Sequence, residues 1–314
     1  MAISDTLDST DLAVLHALHL DGRVAFSTLA ATLGVSDQTV ARRYARLRSR
    51  GVRVVGRTDP LRIGETSWFV RIRCVPSAVA KVAAALARRD DTSWVKVTSG
   101  GTELVAVVRA PSKMDSEALL LEQLPRTPQV LDVAANLLLH QFFGGTHSVV
   151  DALTPQQIRD VEFRPSTTHH TVELDAVDRE ILRLLAADGR TDIAVLAAQS
   201  GVPASTVRRR LTALRAGGAL YFDVDVDYAL LGKGNETMLW LTIAPADLVD
   251  AGALLAAHPE VAFAAATTGS ANMFANIVCA DATALFGYLT TSVAALPSVR
   301  SIETAPVLRT IKRL

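Results

Sequence analysis

Residues 7–51 align without a gap on residues 174–218, with about 20 identities in 45 positions. Leu7-Asp8 matches Leu174-Asp175, Asp21-Gly22-Arg23 matches Asp188-Gly189-Arg190, and Gly34-Val35 matches Gly201-Val202. Thr39-Val40 matches Thr206-Val207. Whatever one block folds into, the other must fold into as well, so the chain is a tandem duplication. At 314 residues there is room for several domains.

Within each block the signals are helical. Asp8 and Asp175 suit N-caps, and Asp11 and Asp178, three residues on, complete capping boxes. Leu12, Leu15 and Leu18 give the first helix an apolar face, as do Ile181, Leu182 and Leu185 in the second copy. The Asp-Gly-Arg triplet is expected to end this helix with its glycine in a left-handed cap. A short helix follows at 27–33 and 193–200, and Gly34 and Gly201 turn the chain into a third. That third helix, 36–51 or 203–218, turns Val40, Tyr44 and Leu47, or Val207, Leu211 and Leu214, inward. Gln38, Arg42, Ala45 and Arg46 face outward, as do Ser205, Arg209 and Ala213. Three helices with this turn are a helix-turn-helix unit. Val52, Val54 and Val55, and the alternating Leu220, Phe222, Val224 and Val226, then predict short strands, the wing of a winged helix.

Each half continues with a β-α-β-β-α-β pattern. Strands are expected near 68–75, 93–99, 102–110 and 128–142, with helices near 77–89 and 113–124. The second half repeats this with strands near 236–244, 260–268, 271–280 and 298–311, and helices near 246–257 and 281–295. Pro76 and Pro245 stand at strand-to-helix junctions, where the missing N–H costs least. The fold class is therefore α+β: two tandem copies of a winged helix-turn-helix followed by a ferredoxin-like domain. The boundaries are 1–62, 63–143, 174–230 and 231–314, with an irregular polar linker at 144–173 that has room for one short helix at 155–162.

Net charge is zero, so the chain is no generic polycation, and nucleic-acid binding must come from local clustering. Residues 23–62 hold nine arginines against Asp37 and Asp59; residues 190–229 hold five against four aspartates. Cys74 and Cys279 lie in apolar runs and suit buried free thiols in a reducing compartment. The acidic N-terminus lacks the apolar stretch of a signal peptide, and no run of about 18 apolar residues suggests a membrane span. A cytoplasmic location is expected. His16 and His19 lack a third metal ligand, no phosphate-binding glycine motif occurs, and no nucleophile–base–acid arrangement is evident. The expectation is no metal, no cofactor and no enzyme activity.

The order of these motifs resembles the Lrp/AsnC family of transcription regulators. It rests on the Leu-Asp-x-x-Asp opening, Asp-Gly-Arg, the Gly-Val-x-x-x-Thr-Val-x-Arg-Arg helix and Asp59-Pro60-Leu61-Arg62-Ile63-Gly64, and it spans the chain twice. The resemblance implies double-stranded DNA as partner, a small-molecule effector such as an amino acid, and homo-oligomers formed through the effector domains. DNA contacts are expected from Gln38, Thr39, Arg42, Arg43, Arg46, Arg53 and Arg57 in the first copy. In the second they are Ser205, Thr206, Arg208, Arg209 and Arg210. Arg42 and Arg209 share one outward position and suit base edges; Arg53 and Arg57 suit phosphates. The aspartates at 223, 225 and 227 on the second wing would repel phosphates, so the two heads should be unequal. The family's effector element corresponds to Gly100, Gly101, Thr102 and Glu103, and to Gly269, Ser270, Ala271 and Asn272. Those residues also suit a plain hairpin turn. An enzymatic alternative, a sirohaem decarboxylase of the same two-domain build, would draw on Arg109, His140 and His258.

Overall fold

The computed structural model describes residues 7–110, 114, 117–123, 127–142, 150–165 and 171–313. The first half runs α1 (Ser9–Leu20), α2 (Phe26–Leu33), α3 (Asp37–Ser49) and β1 (Arg53–Thr58). It continues with β2 (Thr66–Cys74), α4 (Val79–Ala87), β3 (Thr92–Thr98), β4 (Glu103–Ala110) and β5 (Val130–Gln141). After α5 (Pro155–Val161), the second half repeats the order. It has α6 (Ala176–Ala187), α7 (Ile193–Ser200), α8 (Ala204–Ala216) and β6 (Leu220–Asp225). Then come β7 (Asn235–Ile243), α9 (Leu248–Ala256), β8 (Val261–Thr267), β9 (Met273–Cys279), α10 (Ala282–Tyr288) and β10 (Val299–Thr310). The protein is α+β. Of the helix expected at 113–124, residues 118–123 form a π-helical turn, and the rest falls largely outside the described residues.

The chain divides into two compact units, Met1–Gly64 with Val150–Leu231, and Glu65–Val149 with Gly232–Leu314. Helix-turn-helix thus groups with helix-turn-helix, and ferredoxin-like domain with ferredoxin-like domain.

In the first unit both expected capping boxes form: Asp8 with Asp11, and Asp175 with Asp178. β1 and β6 do not build a wing within their own copies. They pair with each other, antiparallel, from Arg53 opposite Asp225 to Thr58 opposite Leu220. A lone six-residue strand leaves its backbone groups unpaired, and the other copy supplies the missing partner. The Asp-Gly-Arg glycines also differ from expectation. Asp21 and Asp188 close their helices in extended conformation, and neither Gly22 nor Gly189 has positive φ. Their task is close approach. A Cβ on Gly22 would lie 2.6 Å from both Phe222 Cβ and Val54 Cγ1, and one on Gly189 2.9 Å from Phe222 Cδ1.

Part of the expected linker packs on the first copy. Thr154 and Gln157 form a capping box for α5, and Val150, Leu153 and Val161 are buried. The buried His16 accepts at Nδ1 from the N–H groups of Ala152 and Leu153, each at 3.2 Å. Residues 143–149 and 166–170 lie outside the description.

In the second unit each copy forms a four-stranded antiparallel sheet, β5-β2-β4-β3 and β10-β7-β9-β8. The edges then meet, β5 on β8 and β10 on β3, and close a barrel with no exposed edge. The outer face of the first sheet packs on α4 through Val70, Ile72, Val82, Ala83, Leu86 and Leu104. The second packs on α9 and α10 through Leu239, Leu241, Leu255, Ile277 and Tyr288. Inside lie Phe69, Val105, Met238, Trp240, Phe274 and Ala305, with the Phe69 and Phe274 rings 4.0 Å apart. Burying a side chain the size of Phe69 contributes about 1.5–3 kcal/mol. Cys74 and Cys279 are buried and unbridged. No helix among the described residues is long and apolar enough to cross a membrane.

Candidate nucleic-acid interface

Helices α3 and α8 are oriented by their turns and buried faces. Gly34 and Gly201 sit in the left-handed region at φ 66° and 69°, reversing the chain into each helix. Ser36 caps α3 by accepting the Thr39 N–H at 3.1 Å; Pro203 opens α8 without a side-chain cap. Val40, Tyr44 and Leu47 anchor α3, and Val207, Leu211 and Leu214 anchor α8. The faces away from these anchors are polar: Gln38 and Arg42 on α3, and Ser205, Arg208 and Arg209 on α8, are exposed. Thr39 and Thr206 are half-buried at the rim.

The arginines on these helices divide by partner. Arg43 binds Asp8 and, at 3.3 Å, Asp11; Arg46 binds Asp11 at 3.0 Å. Arg210 repeats Arg43, reaching Asp175 at 2.7 Å and Asp178 at 2.9 Å. Their positions flank the buried face, so these guanidiniums turn to the capping carboxylates of α1 and α6. The backbone N–H of Asp11 and then the Arg43 guanidinium hold the Asp8 carboxyl below the usual carboxylate range. Asp175 is lowered likewise, by Asp178 N–H and Arg210.

Other arginines join the copies. Arg23 donates to the Gly189 and Thr191 carbonyls at 2.7 and 3.1 Å. Arg190 returns the contact to the Gly22 and Val24 carbonyls at the same distances. Arg215 binds Asp21 at 2.7 Å and lies over the Phe163 ring, while Arg48 binds Asp188 at 3.4 Å. Burial pushes the Arg23 and Arg190 guanidiniums down from their usual range. Arg53, expected on a phosphate, binds the buried Asp225 at 2.7 Å across the β1–β6 pair. That wing aspartate is neutralised by the strand that pairs with it. Arg57 stands half-buried opposite Tyr221. Arg42, Arg208 and Arg209 are exposed and carry no ion pair among the described residues. The Asp-Gly-Arg arginines were visible as a repeat, but nothing local separated an inter-copy clasp from a helix terminator.

At the hairpins where an effector is expected, Gly100, Gly101 and Gly269 have φ of 68°, 88° and 110°. Glu103, the carboxylate expected near an effector amine, is buried and faces Arg71, accepting from its Nε at 2.8 Å and from Ser99 Oγ at 2.9 Å. Asn272 occupies the same place in the second copy and bonds the Ile243 backbone both ways, at 2.8 and 2.9 Å. Thr102 bonds the Ser99 carbonyl, and the Ser270 and Ala271 carbonyls accept from Thr242 and Thr267. Of the residues for the enzymatic alternative, Arg109 binds Glu65, His140 meets the Phe142 ring edge-on, and His258 bonds Tyr288. Among the described residues, no group of three or more His, Cys, Asp or Glu could hold a metal ion.

Two helix-turn-helix copies in one unit and a closed pair of ferredoxin-like sheets in the other make a duplicated helix-turn-helix regulator architecture. The AsnC-type helix-turn-helix family matches residues 7–48 and 174–215, and the Lrp/AsnC ligand binding domain family matches residues 236–314. An uncharacterized HTH-type transcriptional regulator of Pyrococcus horikoshii is 30% identical over 143 residues, 45% of this chain and 90% of that protein. The regulatory protein AsnC of Escherichia coli K12 is 31% identical over 146 residues, 44% of this chain and 96% of its own. The chain belongs to the Lrp/AsnC family of transcriptional regulators. In fold it is similar to the siroheme decarboxylase NirDL, with a TM-score of 0.65 over 98% of this chain and 93% of that one at 14% identity.

Proposed function

We propose that this chain binds double-stranded DNA sequence-selectively through α3 and α8 held in one unit, and responds to a small molecule at its effector unit. The observation that carries the reading is the division of the arginines. Arg43, Arg46, Arg48, Arg210 and Arg215 are held by carboxylates, while Arg42, Arg208 and Arg209 stay exposed on the outward faces. Arg42 and Arg209 are the base-edge readers, where an arginine on guanine is worth about 1–3 kcal/mol. Gln38 and Ser205 differ at matching positions, so the operator is an imperfect palindrome with half-sites about 10–10.5 base pairs apart or a multiple of that. An amino acid is the effector class that fits the family, and the positive-φ glycines at 100, 101 and 269 support a backbone cradle for its carboxylate.

The test is a mobility shift on DNA flanking the protein's own gene, across a salt series, with Arg42→Ala and Arg209→Ala alongside. Selective binding that weakens steeply with salt is expected. Arg42→Ala should lower specific affinity about ten-fold and non-specific affinity far less. Equal loss on all sequences would make Arg42 a phosphate contact. A second reading, decarboxylation of a tetrapyrrole, draws support from the NirDL-like fold over nearly the whole chain. Absence of DNA binding at low salt, with a shifted absorption band on adding sirohaem, would replace the first reading by the second.

A further inference from the structure

A duplicated chain can pair its halves in two ways. First half can meet second half, or like can meet like between two chains. The inter-copy contacts of the helix-turn-helix unit that repeat with the copies do not distinguish these. Arg23 on Gly189 mirrors Arg190 on Gly22, and Arg48 with Asp188 mirrors Arg215 with Asp21.

Other ion pairs between the halves do not repeat. Arg53 binds Asp225, Arg71 binds Glu303 at 2.6 Å, and Lys96 binds Glu236. In each the cation comes from the first half and the anion from the second. Matching strands identify the counterparts: β2 with β7, β3 with β8 and β5 with β10. The pairing registers agree, since Thr310 opposite Lys96 mirrors Gln141 opposite Ala265. Lys96 therefore corresponds to Ala265 and Glu236 to Ser67; Arg71 corresponds to Trp240 and Glu303 to Ala134. On the first unit's strands, Arg53 corresponds to Leu220 and Asp225 to Thr58.

Like-with-like pairing would strand these charges. Two first halves would set Lys96 against Ser67, Arg71 against Ala134 and Arg53 against Thr58. Two second halves would set Glu236 against Ala265, Glu303 against Trp240 and Asp225 against Leu220. The decisive position is Lys96. Its side chain is 3% exposed, its ammonium lies 4.8 Å from the Trp94 ring centroid, and its counter-ion is Glu236. Glu236 also accepts from Asn276 at 2.9 Å and from Thr310 at 3.4 Å, both second-half residues. Arg71 keeps Glu103 of its own half in any pairing, so it discriminates less. A buried charge that loses its partner is strongly unfavourable, whereas a matched pair is close to neutral. Such a device sets partner choice rather than stability.

We infer that these pairs key the two halves to each other: the surface of the first half fits a second half, and rejects another first half or a self-pairing single-copy relative. This is independent of what the helix-turn-helix copies bind.

Two full-length, differently tagged chains test it, one carrying Lys96→Glu and one Glu236→Lys. Alone, each opposes like charges in the barrel and should unfold about 10 °C below the parent. The intrachain double variant Lys96→Glu/Glu236→Lys should recover most of that loss. Refolded together, the two single variants regain both matched pairs only by exchanging halves. A one-to-one two-chain complex should then appear by native mass spectrometry, at least ten-fold above a mixture of differently tagged parent chains. Single variants as stable as the parent would overturn the proposal. So would a mixture with no more cross-chain complex than the parent, or a double variant that recovers nothing.

Discussion

The two units join their halves by different chemistry. In the helix-turn-helix unit the principal contacts occur twice, and the buried ones run from arginine to backbone carbonyl, as those of Arg23 and Arg190 do, beside the mirrored pairs Arg48–Asp188 and Arg215–Asp21. In the barrel the ion pairs between the halves run side chain to side chain and do not repeat, as between Lys96 and Glu236. A carbonyl acceptor is present whatever residue bears it, so a duplicated contact of this kind survives divergence of the sequence. A side-chain pair can be created or lost by changing two positions, and in the barrel the pairs Lys96–Glu236 and Arg71–Glu303 are one-sided.

The steric side of the clasp should give the largest effect. Gly22→Ala places a methyl 2.6 Å from carbons of Phe222 and Val54, both in the paired strands, and should destabilise the first unit by about 3 kcal/mol in chemical denaturation. Gly189→Ala meets the same side chains at 2.9 and 3.0 Å and should cost somewhat less. Gly34→Ala, with nothing within 4 Å but φ at 66°, should cost only about 1–2 kcal/mol, as backbone strain alone. Equal losses at all three positions would break the distinction between close approach and left-handed turn.

Next in size are Arg23→Ala and Arg190→Ala. Each removes two charge-assisted bonds to carbonyls and should lower stability by about 2–3 kcal/mol. Arg190 should be the costlier, because its guanidinium lies 4.6 Å from the Phe26 ring centroid, whereas that of Arg23 lies 5.9 Å from the Phe222 centroid. In the barrel, Glu303→Ala removes a partner whose side chain is 56% exposed and should cost less than about 1 kcal/mol in thermal unfolding. A loss as large as that at Arg23 would erase the contrast between the units.

Acid should produce the smallest effect, and it should act on both copies alike. Asp8 and Asp175 have depressed folded-state values, from N–H groups and then arginines. Their contribution is present above the ordinary carboxylate range near pH 4 and fades as pH falls through the depressed values. Helical circular dichroism followed from pH 5 to 2 should show a modest loss, reduced by Asp8→Asn and by Asp175→Asn to similar degrees. A response to only one substitution would mean that the boxes are not equivalent.

Much of this was legible in the order of residues. The duplication, the helices with their capping boxes, the strands and the outward place of Arg42 and Arg209 all follow from signals within a few residues of each other. A capping box joins positions three apart, and an amphipathic face joins positions three and four apart. Periodicity says which face is buried and never against what. The pairing of β1 with β6, the closed barrel, the close-approach role of Gly22 and the capture of Arg43, Arg53 and Glu103 were decided by tertiary structure. So was the meeting of Arg215 with Asp21, 194 residues apart. Contacts at such separations depend on how two copies of a repeat are brought together, and a repeat carries that information equally in both copies. Only where the copies have become unlike, as at Lys96 and Glu236, does the chain record which partner it takes.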